Sequence, residues 1–134
     1  MNAVYLSTTG DTTTLLPTPL EVQGYGCGLI EISGKTIPRN ENGNLYLCCN
    51  IVEESFVGSI KMPVLRFLKR SQSGNVNNAI THVIWLKVMR PTITSIRLYI
   101  ADETGEVVSL PDTKVDCTLL FIPHTRHQDG SGLE

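Results

Sequence analysis

The sequence contains no long apolar run and only weak signals for helix. None of its apolar stretches approaches the roughly 20 residues that a membrane-spanning helix needs, so no membrane span is expected. Residues 1–5 show neither the basic region nor the apolar run of a signal peptide. With 134 residues, of which 41% are hydrophobic, the chain has the size and composition of one folded domain.

Charge and cysteine content narrow the classes of partner and compartment. The net charge is −2, with 11 basic and 13 acidic residues, which argues weakly against binding of nucleic acid over the whole surface. None of the four cysteines lies in a Cys-x-x-Cys pair, and the neighbours Cys48 and Cys49 would point to opposite faces of a strand. Reduced, partly buried thiols are therefore expected. No Asn-x-Ser/Thr acceptor occurs either, and both observations favour an intracellular location, in cytoplasm or nucleus.

The apolar segments are rich in threonine, valine, isoleucine and tyrosine, and turn-forming residues interrupt them at short intervals. This pattern predicts about eight short antiparallel strands. The clearest strand places Ile96, Leu98 and Ile100 on one face. Arg97 and Tyr99 share its opposite face. The other predicted strands cover residues 4–8, 27–33, 45–52, 64–69, 81–88, 106–110 and 114–122.

Turn and loop signals complete the predicted architecture. Asn42-Gly43 predicts a tight turn, and residues 102–105 predict a hairpin turn rather than a calcium loop. Residues 71–78 are small and polar, which predicts an exposed loop. We therefore expect residues 1–129 to form a single all-β domain, a jelly-roll or other Greek-key β-sandwich. The last five residues, 130–134, are typical of a linker or tag remnant and are left out of that domain.

No arrangement of residues in the sequence predicts catalysis, a cofactor or a metal. His82 lies in a predicted strand without a nucleophile motif beside it. His124, His127 and Asp129 follow the last predicted strand and are expected to form a solvated terminus rather than a metal site. The glycines within residues 24–28 precede a strand, so they predict a bulge or a close backbone approach rather than a dinucleotide-binding loop. We expect no enzymatic activity.

One basic cluster is present in the sequence. Arg66, Lys69 and Arg70 lie close together, and Lys61 joins them. The ordinary explanation of such a run is a solvated strand end. The functional alternative is a surface for an acidic partner or for packaged nucleic acid.

Several large apolar side chains fall on strand faces that point away from the expected core. Residues 84–86 place large side chains on alternate faces, and Trp85 is of a type enriched at the centres of interfaces. The outer face of the last strand becomes apolar at Leu120 and Ile122. The predicted interface consists of Trp85, Tyr99, Leu120 and Ile122. Burial of Trp85 on both sides within the sandwich is the alternative.

Three blocks of the sequence resemble a known family. Residues 25–32 are similar to a strand that the family usually has as Trp-Glu-Val-Ala-Leu-x-Glu-Ile. The second block covers residues 45–53 and continues through 57–58 to 63–66. The third covers residues 96–108 and ends at 114–115. In this order the chain resembles the penton-like minor capsid proteins of Polinton and adintovirus-type DNA elements, including their integrated or domesticated copies.

This resemblance implies a jelly roll that forms a symmetric homo-oligomer, a trimer or a pentamer, at a capsid vertex. The partners it implies are further copies of the same chain and other capsid-like proteins, and a virion becomes a possible location. The residues themselves leave a second hypothesis open, a monomeric β-sandwich module that recognises a protein or a carbohydrate through its loops.

Overall fold

The computed structural model describes residues 2–34, 44–68, 76–80, 82–109 and 114–123. Over these ranges the chain is all β, with eleven strands and no helix. The strands are β1 (Asn2–Thr8), β2 (Asp11–Glu21), β3 (Tyr25–Gly34), β4 (Leu45–Cys49), β5 (Ser55–Val57), β6 (Ile60–Met62), β7 (Val64–Leu68), β8 (Val76–Ala79), β9 (Leu86–Lys87), β10 (Thr92–Asp102) and β11 (Val115–Pro123).

Most of the strands belong to two antiparallel sheets. Sheet I has the order β1-β11-β3-β8, and β9 pairs with the other end of β3, along the same edge as β8. Sheet II has the order β2-β10-β4-β7. Strands β5 and β6 form a separate two-stranded hairpin.

The strand pairs are nested along the chain. Strand β1 pairs with β11, β2 with β10, β3 with β8 and β9, and β4 with β7. Successive pairs belong alternately to sheet I and sheet II, and the pairs β11–β3 and β10–β4 complete the two sheets. This is the strand order of a jelly roll, so the predicted antiparallel sandwich is confirmed.

One apolar core lies between the two sheets. Side chains alternate along a strand, so every second residue of β10 and β11 reaches this core. Phe121 of sheet I and Leu47 of sheet II are fully buried there. The predicted face formed by Ile96, Leu98 and Ile100 lies in the same core, so that prediction is confirmed.

Backbone hydrogen bonds close one end of the sandwich. Val52, which follows β4 of sheet II, bridges to Val88, which follows β9 of sheet I. The Met89 N–H donates to the Ile51 carbonyl at 2.9 Å, and the Glu53 N–H donates to the Lys87 carbonyl at 2.9 Å. These bonds join the two sheets at this end.

Two sequence predictions for the region before β10 are wrong. The strand predicted over residues 81–88 is reduced to Leu86–Lys87, because residues 82–85 lie over β3 instead of continuing the sheet. The loop predicted over residues 71–78 overlaps β8, where Val76–Ala79 pair with β3. A polar sequence is compatible with this position, because β8 forms an edge of sheet I. Residues 71–75 lie outside the described ranges.

Other boundaries differ more modestly from the predictions. Strand β4 ends at Cys49 rather than residue 52. The predicted turn is confirmed: Gly105 has a φ of 89°, and its N–H donates to the Asp102 carbonyl at 3.0 Å. The predicted return strand makes one bridge, from Ala101 to Val107. The predicted Asn42-Gly43 turn and the tag remnant at 130–134 lie outside the described residues.

Strand β2 and the β5–β6 hairpin were not predicted as strands. Pro17 and Pro19 lie within β2, and proline cannot donate a backbone hydrogen bond to a strand ladder. They are tolerated in β2 because it is an edge strand, where a missing N–H breaks no ladder on the outer side.

Candidate interaction surfaces

The outer face of sheet I is partly covered by residues 82–85. A Cβ atom added at Gly28 would lie 2.4 Å from Val83 Cγ1 and 2.8 Å from Trp85 Cε3, so both side chains rest directly on this glycine. Leu120 pairs with Gly28 across the strands, and Ile122 is buried two residues further along β11. Trp85, Leu120 and Ile122 therefore belong to the same outer face. The half-buried indole packs within the chain, and its place at an interface stays a prediction.

Tyr99, the fourth residue of the predicted interface, lies on the opposite side of the molecule. It belongs to a second, smaller apolar cluster on the outer face of sheet II. The buried members of this cluster are Cys48, Met62 and Ala101, and Tyr99 is half-buried against them. The four residues thus do not form one continuous surface.

The β5–β6 hairpin has two different faces. Val57, Ile60 and Met62 pack against the outer cluster of sheet II. Phe56 and Lys61 are paired across the hairpin on its other face, with the Lys61 Nζ 5.0 Å from the centre of the Phe56 ring. The hairpin therefore covers sheet II and presents an aromatic ring with a cation to solvent.

The residues of the predicted basic cluster lie on different elements. Lys61 is exposed on β6, and Arg66 is half-buried on β7. Lys69 and Arg70 lie outside the described residues. The basic patch therefore stays a prediction.

All four cysteines are free and buried, as the sequence predicted. Burial raises the pKa of Cys48 and of Cys117 to about 12, and that of Cys49 to about 11. Burial also raises the pKa of Cys27. Thiols with such pKa values are protonated at neutral pH, and a thiolate is needed for nucleophilic attack. These side chains therefore act as packing residues.

An ion pair borders the outer cluster of sheet II. Arg97 Nε and Nη2 donate to the two carboxylate oxygens of Asp11 at 2.9 and 2.8 Å, which lowers the pKa of Asp11. The guanidinium carbon lies 4.4 Å from the centre of the Tyr99 ring. Burial raises the pKa of Tyr99 to about 12. The Tyr99 ring is therefore enclosed by Arg97 as well as by the apolar cluster.

A polar groove of about 270 Å³ lies on the outer face of sheet I. It is formed by two rows of side chains that cross β1, β11 and β3. The rows contain Tyr5, Thr118 and Glu31, followed by Ser7, Asp116 and Ser33.

Hydrogen bonds organise the floor of this groove. The Ser7 hydroxyl donates to an Asp116 carboxylate oxygen, and the Thr118 hydroxyl donates to Glu31 Oε1 at 3.4 Å. Lys114 Nζ lies 3.9 Å from the same Asp116 oxygen. Two carboxylates with unused acceptor capacity therefore lie beside an exposed aromatic ring.

One side of the sandwich combines two edge strands with two exposed apolar side chains. Strands β1 and β2 are joined by the turn at Thr9–Gly10 and form the edges of sheet I and sheet II on this side. Thr8 Oγ1 and Thr12 Oγ1 are hydrogen-bonded at 3.0 Å where the strands diverge. Leu15 on β2 is 79% exposed and Tyr5 on β1 is 77% exposed. We call this surface the β1–β2 side.

The remaining candidate residues of the sequence do not assemble into a metal or catalytic site in the described ranges. His82 is exposed. His124, His127 and Asp129 fall beyond residue 123, where the description ends. Over the described part of the chain, no three or more His, Cys, Asp or Glu side chains are grouped as metal ligands. Nor does this part contain a helix with the length and apolarity of a membrane span.

Comparison with known protein families, curated proteins and solved structures found no match for this chain.

Proposed function

We propose that the chain is a self-associating structural protein of the capsid type, which forms a symmetric homo-oligomer. The observation that carries this proposal is the β1–β2 side, where Leu15 and Tyr5 are the two most exposed large apolar side chains of the described residues. Burial of such side chains between copies drives association. Viral capsid proteins are among the classes that use the jelly-roll fold, and the sequence resemblance supports the same assignment.

A single exposed leucine or tyrosine is common on soluble proteins and carries no argument alone. The β1–β2 side is different because its two apolar side chains flank strand edges that have no further partner among the described residues. An unpaired edge presents N–H and C=O groups that can bond to another chain. Tyr5 projects from the outer face of sheet I and Leu15 from the outer face of sheet II, so apolar side chains are available on both sides of these edges.

The first test is the mass of the assembly, measured by light scattering during size exclusion over a range of concentrations. The expected result is a multiple of the monomer mass, with a trimer or pentamer as the resemblance implies. A chain that stays monomeric at every concentration would contradict the proposal.

A charged substitution on the β1–β2 side should weaken this self-association. We expect Leu15→Glu to raise the dissociation constant at least about tenfold, because a carboxylate buried without a partner is unfavourable by more than the 1.4 kcal/mol that a factor of ten represents.

The matched control is Phe56→Glu, since Phe56 is 72% exposed on the β5–β6 hairpin, away from the β1–β2 side. Its dissociation constant should stay within about twofold of the unmodified chain. Equal effects of both substitutions would remove the β1–β2 side as the contact surface.

The groove on sheet I favours a second candidate function, a monomeric recognition module. Its volume of about 270 Å³ lies below the about 300–1,000 Å³ of pockets for drug-sized ligands, so it suits one sugar ring or one side chain of a protein partner. Tyr5 would supply a stacking surface, and Glu31 and Asp116 would accept hydrogen bonds. A persistent monomer whose melting temperature rises with a carbohydrate or a peptide would favour this function.

The proposed location follows from the capsid assignment. A virion is the location of a capsid subunit, and the cytoplasm or nucleus is the location of a domesticated copy. Contacts with other capsid-like proteins belong to the same proposal.

A further inference from the structure

We infer that the outer edge of β1, which has no partner among the described residues, pairs antiparallel with β1 of a second copy, around a two-fold axis, so that sheet I continues from one subunit into the next. This inference rests on the proposed self-association and specifies its contact. It follows from comparing the five strands that form the edges of the two sheets.

Four of the five edge strands carry features that hinder pairing with another chain. Strand β2 contains Pro17 and Pro19, and its pairing with β10 shifts register between Ile93 and Ser95. Strand β7 has five residues, includes Arg66 and also shifts register. Strand β8 has only four residues, and β9 on the same edge has two, one of which is Lys87. Prolines, charges, irregularities and short length are the usual protections of an exposed edge.

Strand β1 has none of these protections. It has seven residues, with neither a proline nor a charged residue. Its pairing with β11 runs from Asn2 to Thr8 without a register shift. In an antiparallel ladder the backbone groups of alternate residues point to opposite sides, so half of the β1 groups point away from β11. They form a regular row that can receive another strand.

A second copy of β1 fits this row because the strand is complementary to itself. Val4 and Leu6 face the core, whereas Tyr5 and Ser7 face outward. Antiparallel pairing about a two-fold axis can place apolar faces beside apolar faces and outer faces beside outer faces. Since β1 carries no charge, its self-pairing places no like charges opposite each other.

The contact expected between two β1 strands is small, which limits the affinity that it can provide alone. Seven residues at about 3.4 Å per residue give a contact about 24 Å long, which buries less than the about 1,200–2,000 Å² of a stable standard interface. The contact therefore gives a weak dimer when it acts alone. It would pair two rings if a separate contact closes each ring.

The decisive measurement is amide hydrogen exchange resolved by residue, at low and at high protein concentration. At low concentration, alternate amides of β1 bond to β11 and exchange slowly, while the intervening amides exchange rapidly. At high concentration the intervening amides should become protected at least about tenfold, in step with the increase in mass measured on the same samples. The outer amides of β8, a short edge strand, should not change.

A charged substitution on β1 tests the same contact independently. Ala3 is exposed on β1, and Ala3→Lys adds the kind of charge that protects edge strands. We expect at least about tenfold weaker self-association and loss of the concentration-dependent protection. The control is Ser55→Lys, at an exposed position of β5 on the hairpin and away from the β1–β2 side, which should leave both unchanged.

The outcomes separate this inference from the proposed function. An assembly that forms while the intervening β1 amides still exchange rapidly overturns the β1 pairing and leaves self-association in place. A chain that is monomeric at every concentration overturns both. An assembly that is weakened equally by Ala3→Lys and Ser55→Lys also overturns the pairing, because the effect would then be general electrostatics.

Discussion

Replacing Gly28 with valine should lower the free energy of unfolding by about 3 kcal/mol, at the upper end of the about 1–3 kcal/mol that overpacking usually costs. The new Cβ would stand 2.4 Å from Val83 Cγ1 and 2.8 Å from the Trp85 ring, distances that real atoms do not adopt. Relief requires residues 82–85 to move off sheet I. The chain has one tryptophan, so denaturant unfolding followed by its fluorescence measures stability and this contact together.

A double-mutant cycle, in which the side chains that face Gly28 are truncated to alanine, provides the control. In a Val83→Ala/Trp85→Ala background the same Gly28→Val change should cost clearly less, because the atoms that it meets are absent. Unfolding would then be followed by circular dichroism. Ala3→Val adds bulk at an exposed position of β1, on the far side of β11 in the same sheet, and should be nearly neutral. An equal cost of Gly28→Val in both backgrounds would show that steric contact is not the cause.

This glycine also shows how far sequence reasoning reached. The glycine-rich start of β3 predicted a bulge or a close backbone approach, and the Val83 and Trp85 side chains do approach β3 closely at Gly28. The segment that approaches was not predicted. Residues 81–88 have the alternation of a strand, and composition does not distinguish a strand in a sheet from an extended segment lying on one.

The central strands were the most predictable part of the fold. Residues 96–100 alternate clearly because one face of β10 is buried in the core. In residues 114–122 the core-facing apolar residues recur at every second position, although Leu120 and Ile122 make the outer face apolar as well. Strand β2 was less evident, because its prolines and threonines lie on an edge with little buried area. Local sequence signals do not show which distant strands pair with each other or which strand lies at the edge of a sheet.

The β1–β2 side depends on that long-range pairing. Alternation alone places Tyr5 on the opposite face from Val4 and Leu6, so its outward position could have been found from the sequence. Its exposure beside an unprotected edge requires knowing that β1 pairs with β11 on one side only. The same holds for the groove, whose residues come from three strands that are distant in the chain.

Tyr99, Leu120 and Ile122 were predicted as an interface because they point away from the core. The sequence cannot show that a short hairpin returns to cover part of such a face. Each strand of the β5–β6 hairpin has three residues, too few for a recognisable alternation. Outward-facing apolar residues therefore predict that something packs against them. Only the topology shows whether a segment of the same chain does so.

The β5–β6 hairpin, which covers part of the cluster around Tyr99, is the site of the second substitution with a large expected effect. Met62→Ala should lower the free energy of unfolding by about 3 kcal/mol, within the about 2–5 kcal/mol measured for Met→Ala changes in cores. Met62 is buried between the hairpin and the Cys48–Ala101 surface of sheet II. A two-stranded hairpin is marginal without packing, so the loss should also loosen β5 and β6. Chemical denaturation measures the change.

Phe56→Ala is the matched control, because Phe56 lies on the solvent face of the same hairpin and its truncation should change stability by less than about 0.5 kcal/mol.

A second measurement follows the ionisation of Tyr99 and Cys48 in the outer cluster of sheet II. Burial raises the pKa of Tyr99 and of Cys48 to about 12, so loosening the hairpin should lower both pKa values toward about 10 for the phenol and about 8.5 for the thiol. The tyrosine absorbance would then titrate at lower pH, and Cys48 would react faster with a thiol reagent, while Cys49 in the central core stays protected.

Equal costs for Met62→Ala and Phe56→Ala, with an unchanged titration of Tyr99, would contradict a role of the hairpin in burying this cluster.

The expected result has a consequence for assembly. If the hairpin holds the outer cluster of sheet II closed, this apolar surface is already buried within the subunit. The apolar area that remains for a second copy then includes the β1–β2 side, where no described segment pairs with the outer edge of β1.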